Sequence, residues 1–191
     1  MKKIAVFASG NGTNAENICN YFINNKNVDV VLLATNKKTA FVVERVKKFN
    51  IPVFYFTKDE LNNSSVVQKK LLEYSVDLIV LSGFLLKVPE NIISLFPNKI
   101  INIHPSLLPK FGGRGMYGKN VCRSVIDAKE VQSGITIHYV NNNYDEGNII
   151  FQESFSLVKN ESVESLLEKI RVLEMRFFPA VIERVINSLS V

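Results

Sequence analysis

The chain has 191 residues, of which 47% are hydrophobic and 21% charged; this length and balance fit one folded domain with a real core and exclude collagen-like, disordered and low-complexity chains. Its 23 Lys and Arg against 18 Asp and Glu leave a net charge of +5, carried in dispersed pairs such as Lys37-Lys38, Lys47-Lys48 and Lys69-Lys70, which suits a small anionic ligand better than a nucleic-acid groove. Cys19 and Cys122 lie too far apart for a CxxC redox or metal pair, and a chain of this size needs no disulfide staple, so a reducing compartment, the cytoplasm, is expected.

Two lysines before an apolar run imitate a signal peptide at Met1-Lys2-Lys3. The run stops at Gly10-Asn11-Gly12, however, short of a signal core, and reads as a buried strand over residues 4–8. A helix is predicted over 14–24, with Ala15, Ile18, Cys19, Phe22 and Ile23 at helical spacing. Then come strand two over 28–35, an amphipathic stretch over 41–49, strand three over 52–56, a helix over 66–74, strand four over 78–81 and strand five over 100–103. The strands are apolar throughout, as expected when helices cover both faces of a mostly parallel α/β sheet of doubly wound, Rossmann-like type.

Residues 105–118 are rich in Pro and Gly, a loop too long to be mere connection. A helix over 119–128, strands over 135–140 and 149–155 and a long final helix from Val163 come next. An antiparallel strand is expected near this end. The final helix carries the stripe Val163, Leu166, Leu167, Ile170, Leu173, Phe177, Val181 and Val185, and Pro179 is expected to kink it. No apolar stretch reaches the length of a membrane span, and no repeat or linker marks a second domain, so residues 1–191 are read as one domain without membrane or nucleic-acid partners.

Ser9-Gly10-Asn11-Gly12-Thr13-Asn14 joins the first strand to the first helix. Glycines there permit a tight turn, and helix N–H groups with the helix dipole attract an anion. With Ala15 the turn also fits the G-x-G-x-x-A dinucleotide fingerprint. That reading needs an acid at the end of strand two, where Ala34-Thr35-Asn36-Lys37 supplies none; nor is there the Gly-Lys-Ser/Thr end of a triphosphate loop. A phosphate monoester fits the turn better, with a purely structural turn as the alternative.

Asn102-Ile103-His104-Pro105 ends strand five, so alternation points Asn102 and His104 to one side, at the carboxyl end where open α/β sheets bind ligands. Pro105 and Pro109 stiffen the turn that spans residues 106–108. Tyr144-Asp145-Glu146-Gly147, a turn between two strands, offers a carboxylate that would raise the His104 pKa. Asn102 can then donate a hydrogen bond, His104 a proton, and Asp145 can orient and tune the imidazole. With no nucleophilic Ser or Cys evident beside them, the chemistry implied passes through an oxyanion and takes its nucleophile from the substrate. His104, His138 and Asp145 match no common metal-ligand spacing, so no metal is expected.

These segments, together with Ser82-Gly83-Phe84, the run Asn102-Ile103-His104-Pro105-Ser106-Leu107-Leu108-Pro109 and Asp145-Glu146-Gly147, resemble the glycinamide ribonucleotide formyltransferases from end to end. The resemblance implies that the amine of 5-phosphoribosylglycinamide takes the formyl group of 10-formyltetrahydrofolate, without a metal. It implies that Gly12, Thr13 and Asn14 hold the substrate phosphate and that Glu174 contacts the glycinamide substrate. Leu85, Leu86, Lys87 and Val88 would line the folate pocket. Asn102 and His104 would stabilise the oxyanion, with His104 as proton donor and Asp145 raising its pKa, and His138 matches a family histidine in a supporting place. Many members carry Met-Arg where this chain has Leu85-Leu86, and residues 111–118 depart from the commoner Pro- and His-containing loop. Methionyl-tRNA formyltransferase resembles a longer chain with a tRNA-binding domain, and formyltetrahydrofolate deformylase usually carries an extra N-terminal domain. A non-catalytic phosphate- or folate-binding module would have no use for Asn102, His104 and Asp145 together.

Overall fold

In the computed structural model, which describes residues 1–189, the described residues form seven strands and seven helices. They are β1 (Lys2–Phe7), α1 (Thr13–Phe22), β2 (Val28–Thr35), α2 (Val42–Val46), β3 (Val53–Tyr55), α3 (Lys58–Asn63), α4 (Val66–Glu73), β4 (Leu78–Leu81), α5 (Glu90–Leu95), β5 (Ile100–His104), α6 (Lys119–Asp127), β6 (Gln132–Tyr139), β7 (Ile149–Ser156) and α7 (Val163–Ser188). A short 3-10 turn, Lys47–Phe49, extends α2. The strand order is β3-β2-β1-β4-β5-β6-β7. β1 pairs in parallel with β2 and β4, and β2 with β3, while β6 and β7 are antiparallel.

The described chain forms two compact units: residues 1–101 with 182–189, and residues 102–181. In the first, β4 is buried at every residue and β1 from Ile4 to Phe7. Successive strand residues face opposite ways, so both faces of these strands are covered. α1 buries Ala15, Ile18, Cys19 and Phe22 and stops there; Ile23, read from sequence as part of its apolar stripe, is 61% exposed. Phe7, Phe56 and Phe84 form an aromatic cluster, with Phe84 edge-on to Phe7 at 5.4 Å between centroids.

Two short helices, α3 and α5, lie where no helix is expected from the apolar pattern, because each buries one side chain, Leu61 and Ile92. α3 is set by its start: Thr57 Oγ1 accepts from Glu60 N at 3.1 Å and Glu60 Oε2 accepts from Thr57 N at 2.6 Å. Such a reciprocal cap stabilises a helix end by about 1 kcal/mol.

In the second unit α6 buries Val121, Cys122 and Val125. The part of α7 in this unit buries Leu166, Ile170, Phe178 and Val181, and the helix runs on through Pro179 to Ser188. Burial pushes the Cys19 thiol up to about 12 and the Cys122 thiol up to about 11, the latter helped by the nearby Glu174 charge. Among the described residues no helix is long and apolar enough to cross a membrane.

Candidate active site

Asn102 and His104 occupy alternate positions of β5 and converge on one carboxylate, as strand alternation requires. His104 Nδ1 lies 3.4 Å from Asp145 Oδ2, and Asn102 Nδ2 donates to Asp145 Oδ1 at 3.5 Å. His138 joins them from β6: its Nε2 lies 3.2 Å from Asn102 Nδ2 and 3.6 Å from Asp145 Oδ1. His138 Nδ1 lies 2.8 Å from the Tyr139 carbonyl, to which it can only donate, so Nε2 is the ring nitrogen turned toward Asn102 and Asp145. The β6–β7 register shifts between Ile137 and His138, a local irregularity of the kind that re-aims side chains beside sites.

Asp145 sits in the turn between β6 and β7 with φ 57, a left-handed conformation that Asp tolerates better than most residues. Gly147 closes the same turn so tightly that a Cβ there would lie 1.7 Å from the Tyr139 carbonyl oxygen. The segment after His104 is fixed by a hydrogen-bond network centred on the buried Thr136 hydroxyl. Thr136 Oγ1 donates to the Ser106 carbonyl at 2.6 Å and accepts from Leu108 N at 3.0 Å, while Gln152 Nε2 donates to the Leu108 carbonyl at 3.0 Å. The two prolines read from sequence are therefore only part of what makes the mount rigid; Thr136 and Gln152 supply the rest.

Two main-chain groups of the Pro- and Gly-rich loop complete the cluster. Phe111 offers its carbonyl to His104 Nε2 at 2.8 Å, and Gly113 N donates to Asp145 Oδ2 at 2.9 Å. Both His104 nitrogens thus face acceptors, an arrangement that favours the imidazolium. Burial opposes it and wins: it pushes His104 below its ordinary range, with His138 adding to it, against the upward push of Asp145 and of the Phe111 carbonyl. The net shift is thus a fall, while Asp145 itself pushes in the upward direction that the sequence implies. For Asp145 burial pushes upward, but the His138 contact, the His104 charge and the Gly113 N–H together hold the carboxyl below its usual range.

The first unit carries Gly12, Thr13, Asn14 and Leu85 to Val88. Gly12, with φ 80, forms the left-handed start of α1, and Thr13 and Asn14 are its first helical residues. The N–H groups of a helix's first turn point outward along its axis, the arrangement that takes anions. Ser9 Oγ donates to Asn36 Oδ1 at 2.6 Å, so the position that would hold a ribose-binding acid in a dinucleotide site instead ties down the turn. The same oxygen accepts from Leu85 N at 3.1 Å, anchoring the start of the 85–88 segment. There Leu85 is 42% exposed and Lys87 exposed, Leu86 is half-buried, and the Val88 side chain is buried in the core. In the second unit Glu174 is half-buried on α7. Among the described residues no group of three His, Cys, Asp or Glu side chains is arranged to hold a metal ion.

The chain matches the formyl transferase family model over residues 2–182. It is 39% identical over 188 residues to the chloroplastic phosphoribosylglycinamide formyltransferase of Arabidopsis thaliana, covering 95% of this chain and 64% of the plant protein. To the phosphoribosylglycinamide formyltransferase of Bacillus subtilis it is 36% identical over 192 residues, covering 98% of this chain and 96% of that one. The crystal structure of the enzyme of that name from Bacillus halodurans superposes with a TM-score of 0.87 at 36% identity, covering 98% of this chain and 96% of that chain. A match of this extent, with the Asn102, His104 and Asp145 side chains gathered as described, places the chain in the formyl transferase family.

Proposed function

We propose that this chain is a phosphoribosylglycinamide formyltransferase, working as a single domain on two small-molecule substrates in the cytoplasm. Its near-complete match to relatives of that name supports the reading, and its two free, buried cysteines fit a reducing compartment. The convergence of Asn102, His104 and Asp145 carries it: a neutral donor, a proton source and a carboxylate, with the attacking atom left to the substrate.

The glycinamide amine attacks the formyl carbon of 10-formyltetrahydrofolate, and the carbonyl oxygen gains the electron pair. Asn102 Nδ2–H and the protonated His104 stabilise that oxyanion. The long 3.5 Å contact from Asn102 to Asp145 is the weaker of its two and the one a stronger acceptor displaces. Collapse breaks the bond from the formyl carbon to the folate nitrogen; that nitrogen takes a proton, the former amine loses one, and the new amide remains. Gly12, Thr13 and Asn14 hold the phosphate, Glu174 contacts the glycinamide portion, and Leu85, Leu86, Lys87 and Val88 flank the folate, Val88 through its main chain. No metal takes part.

Consumption of the formyl donor should be fast only when 5-phosphoribosylglycinamide is present. Equal consumption with water alone would replace this reading by a deformylase. Asp145→Asn tests the proton source. The substitution keeps the shape but removes a charge that pushes the His104 pKa up, leaving burial less opposed. Because the protonated form is the donor, activity falls as pH rises through the His104 pKa, and in Asp145→Asn that fall should come at lower pH. A kcat profile against pH that superposes on the parent's would remove Asp145 from the tuning role.

A further inference from the structure

α2 is only five residues long, yet two of its residues, Val42 and Arg45, reach the glycine turn. Val42 N donates to the Gly10 carbonyl at 3.1 Å, and the Val42 side chain lies where a Cβ on Gly12 would have to go. One turn on, Arg45 Nε donates to the Asn11 carbonyl at 2.9 Å and its Nη2 to Asn11 Oδ1 at 3.3 Å. Its third arm, Nη1, pairs with Glu16 Oε2 at 2.5 Å, and Lys48 takes the other Glu16 oxygen at 2.6 Å. Glu16 stands in the first turn of α1, where an unpaired carboxylate would repel an incoming phosphate.

From this arrangement we infer that Arg45 is the positioning residue of the phosphate turn: it holds Asn11 at both oxygens, and so fixes the Gly12 and Thr13 N–H groups, while keeping the Glu16 charge off the anion. The inference rests on the phosphate role proposed for Gly12, Thr13 and Asn14. Arg45 acts through the turn, by a planar fork that spans three acceptors, and a point charge cannot reproduce that geometry. The Glu16 carboxyl fits this picture, since Lys48 first and Arg45 after it hold it below its ordinary range against the upward push of burial.

Arg45→Ala and Arg45→Lys, made in the full chain, test the assignment. Binding of 5-phosphoribosylglycinamide is measured by calorimetry without folate, alongside steady-state kinetics and the amide resonances of Gly12 and Thr13. Arg45→Ala should weaken ribonucleotide binding and raise its KM by about tenfold, the scale of losing charge-assisted hydrogen bonds. The folate KM should stay at the parent value, and the Gly12 and Thr13 resonances should move. Arg45→Lys should recover only part of the affinity, and added guanidinium should restore more of it to Arg45→Ala than ammonium does. Full recovery in Arg45→Lys, or unchanged affinity and resonances in Arg45→Ala, would overturn the assignment. A parent chain that fails to bind the ribonucleotide would overturn the functional reading beneath it, a result distinct from either.

Discussion

Replacing His104 with alanine is expected to lower kcat by roughly 10²-fold or more, the scale on which loss of one oxyanion donor is felt. Asn102→Ala should do the same. In each case the KM values should move far less, because the lost interaction is one made to developing charge and not to the bound ground state. Asn102→Ala has a second consequence: His138 Nε2 and Asp145 Oδ1, which lie 3.6 Å apart, lose the amide that contacts both. Circular dichroism establishes that each variant is folded, and single-turnover rates isolate the chemical step. A folded His104→Ala protein turning over near the parent rate would refute the assignment.

The second large effect is expected at Gly12. Its φ of 80 is strained for any L side chain, and an added Cβ would lie 2.4 Å from the Val42 side chain and 2.6 Å from Val42 Cα. Moving a neighbouring main chain is costly, so Gly12→Val should distort the turn and raise the ribonucleotide KM by about tenfold or more while leaving the folate KM much closer to the parent value. Gly10→Ala is the matched control, since a Cβ there meets nothing within 4 Å. If Gly12→Val and Gly10→Ala bind the ribonucleotide equally well, the turn is structural and the phosphate sits elsewhere.

The parallel strands were readable because an unbroken apolar run such as Leu78 to Leu81 is too short for a helix and suits a strand buried on both faces. α3 and α5 were hidden because one buried residue each leaves no periodicity, although Thr57 and Glu60 spelled out a capping box three residues apart. The stripe expected for α7 holds at Leu166, Ile170, Val181 and Val185, all buried, and is incomplete elsewhere. Phe178, Ile182 and Ile186 are fully buried and absent from the expected stripe, while Phe177 is half-buried against Phe151, its ring 5.1 Å away. Over a helix of 26 residues the 3.6-residue period lets more than one apolar line pass for the core face.

At the site, alternation sufficed to put Asn102 and His104 on one side, and the turn chemistry around Gly147 marked where an acid could return. The Phe111 carbonyl and Gly113 N–H are main-chain groups and leave no mark in a string of side chains. The direction of the His104 shift was also out of reach, since it depends on how much protein surrounds the ring, a quantity that only the folded chain defines.

The two cysteines give the fold a pair of internal clocks. Thiol reagents attack the thiolate, and burial has removed that form from both side chains at neutral pH. Cys19 belongs to the first compact unit and Cys122 to the second. Alkylation therefore waits on opening, and each sulfur records a different one: the rate at Cys19 follows exposure of α1, and the rate at Cys122 follows exposure of α6. The unaltered chain thus carries one reporter in each half, with which cooperative unfolding of the whole can be told apart from local release of either part.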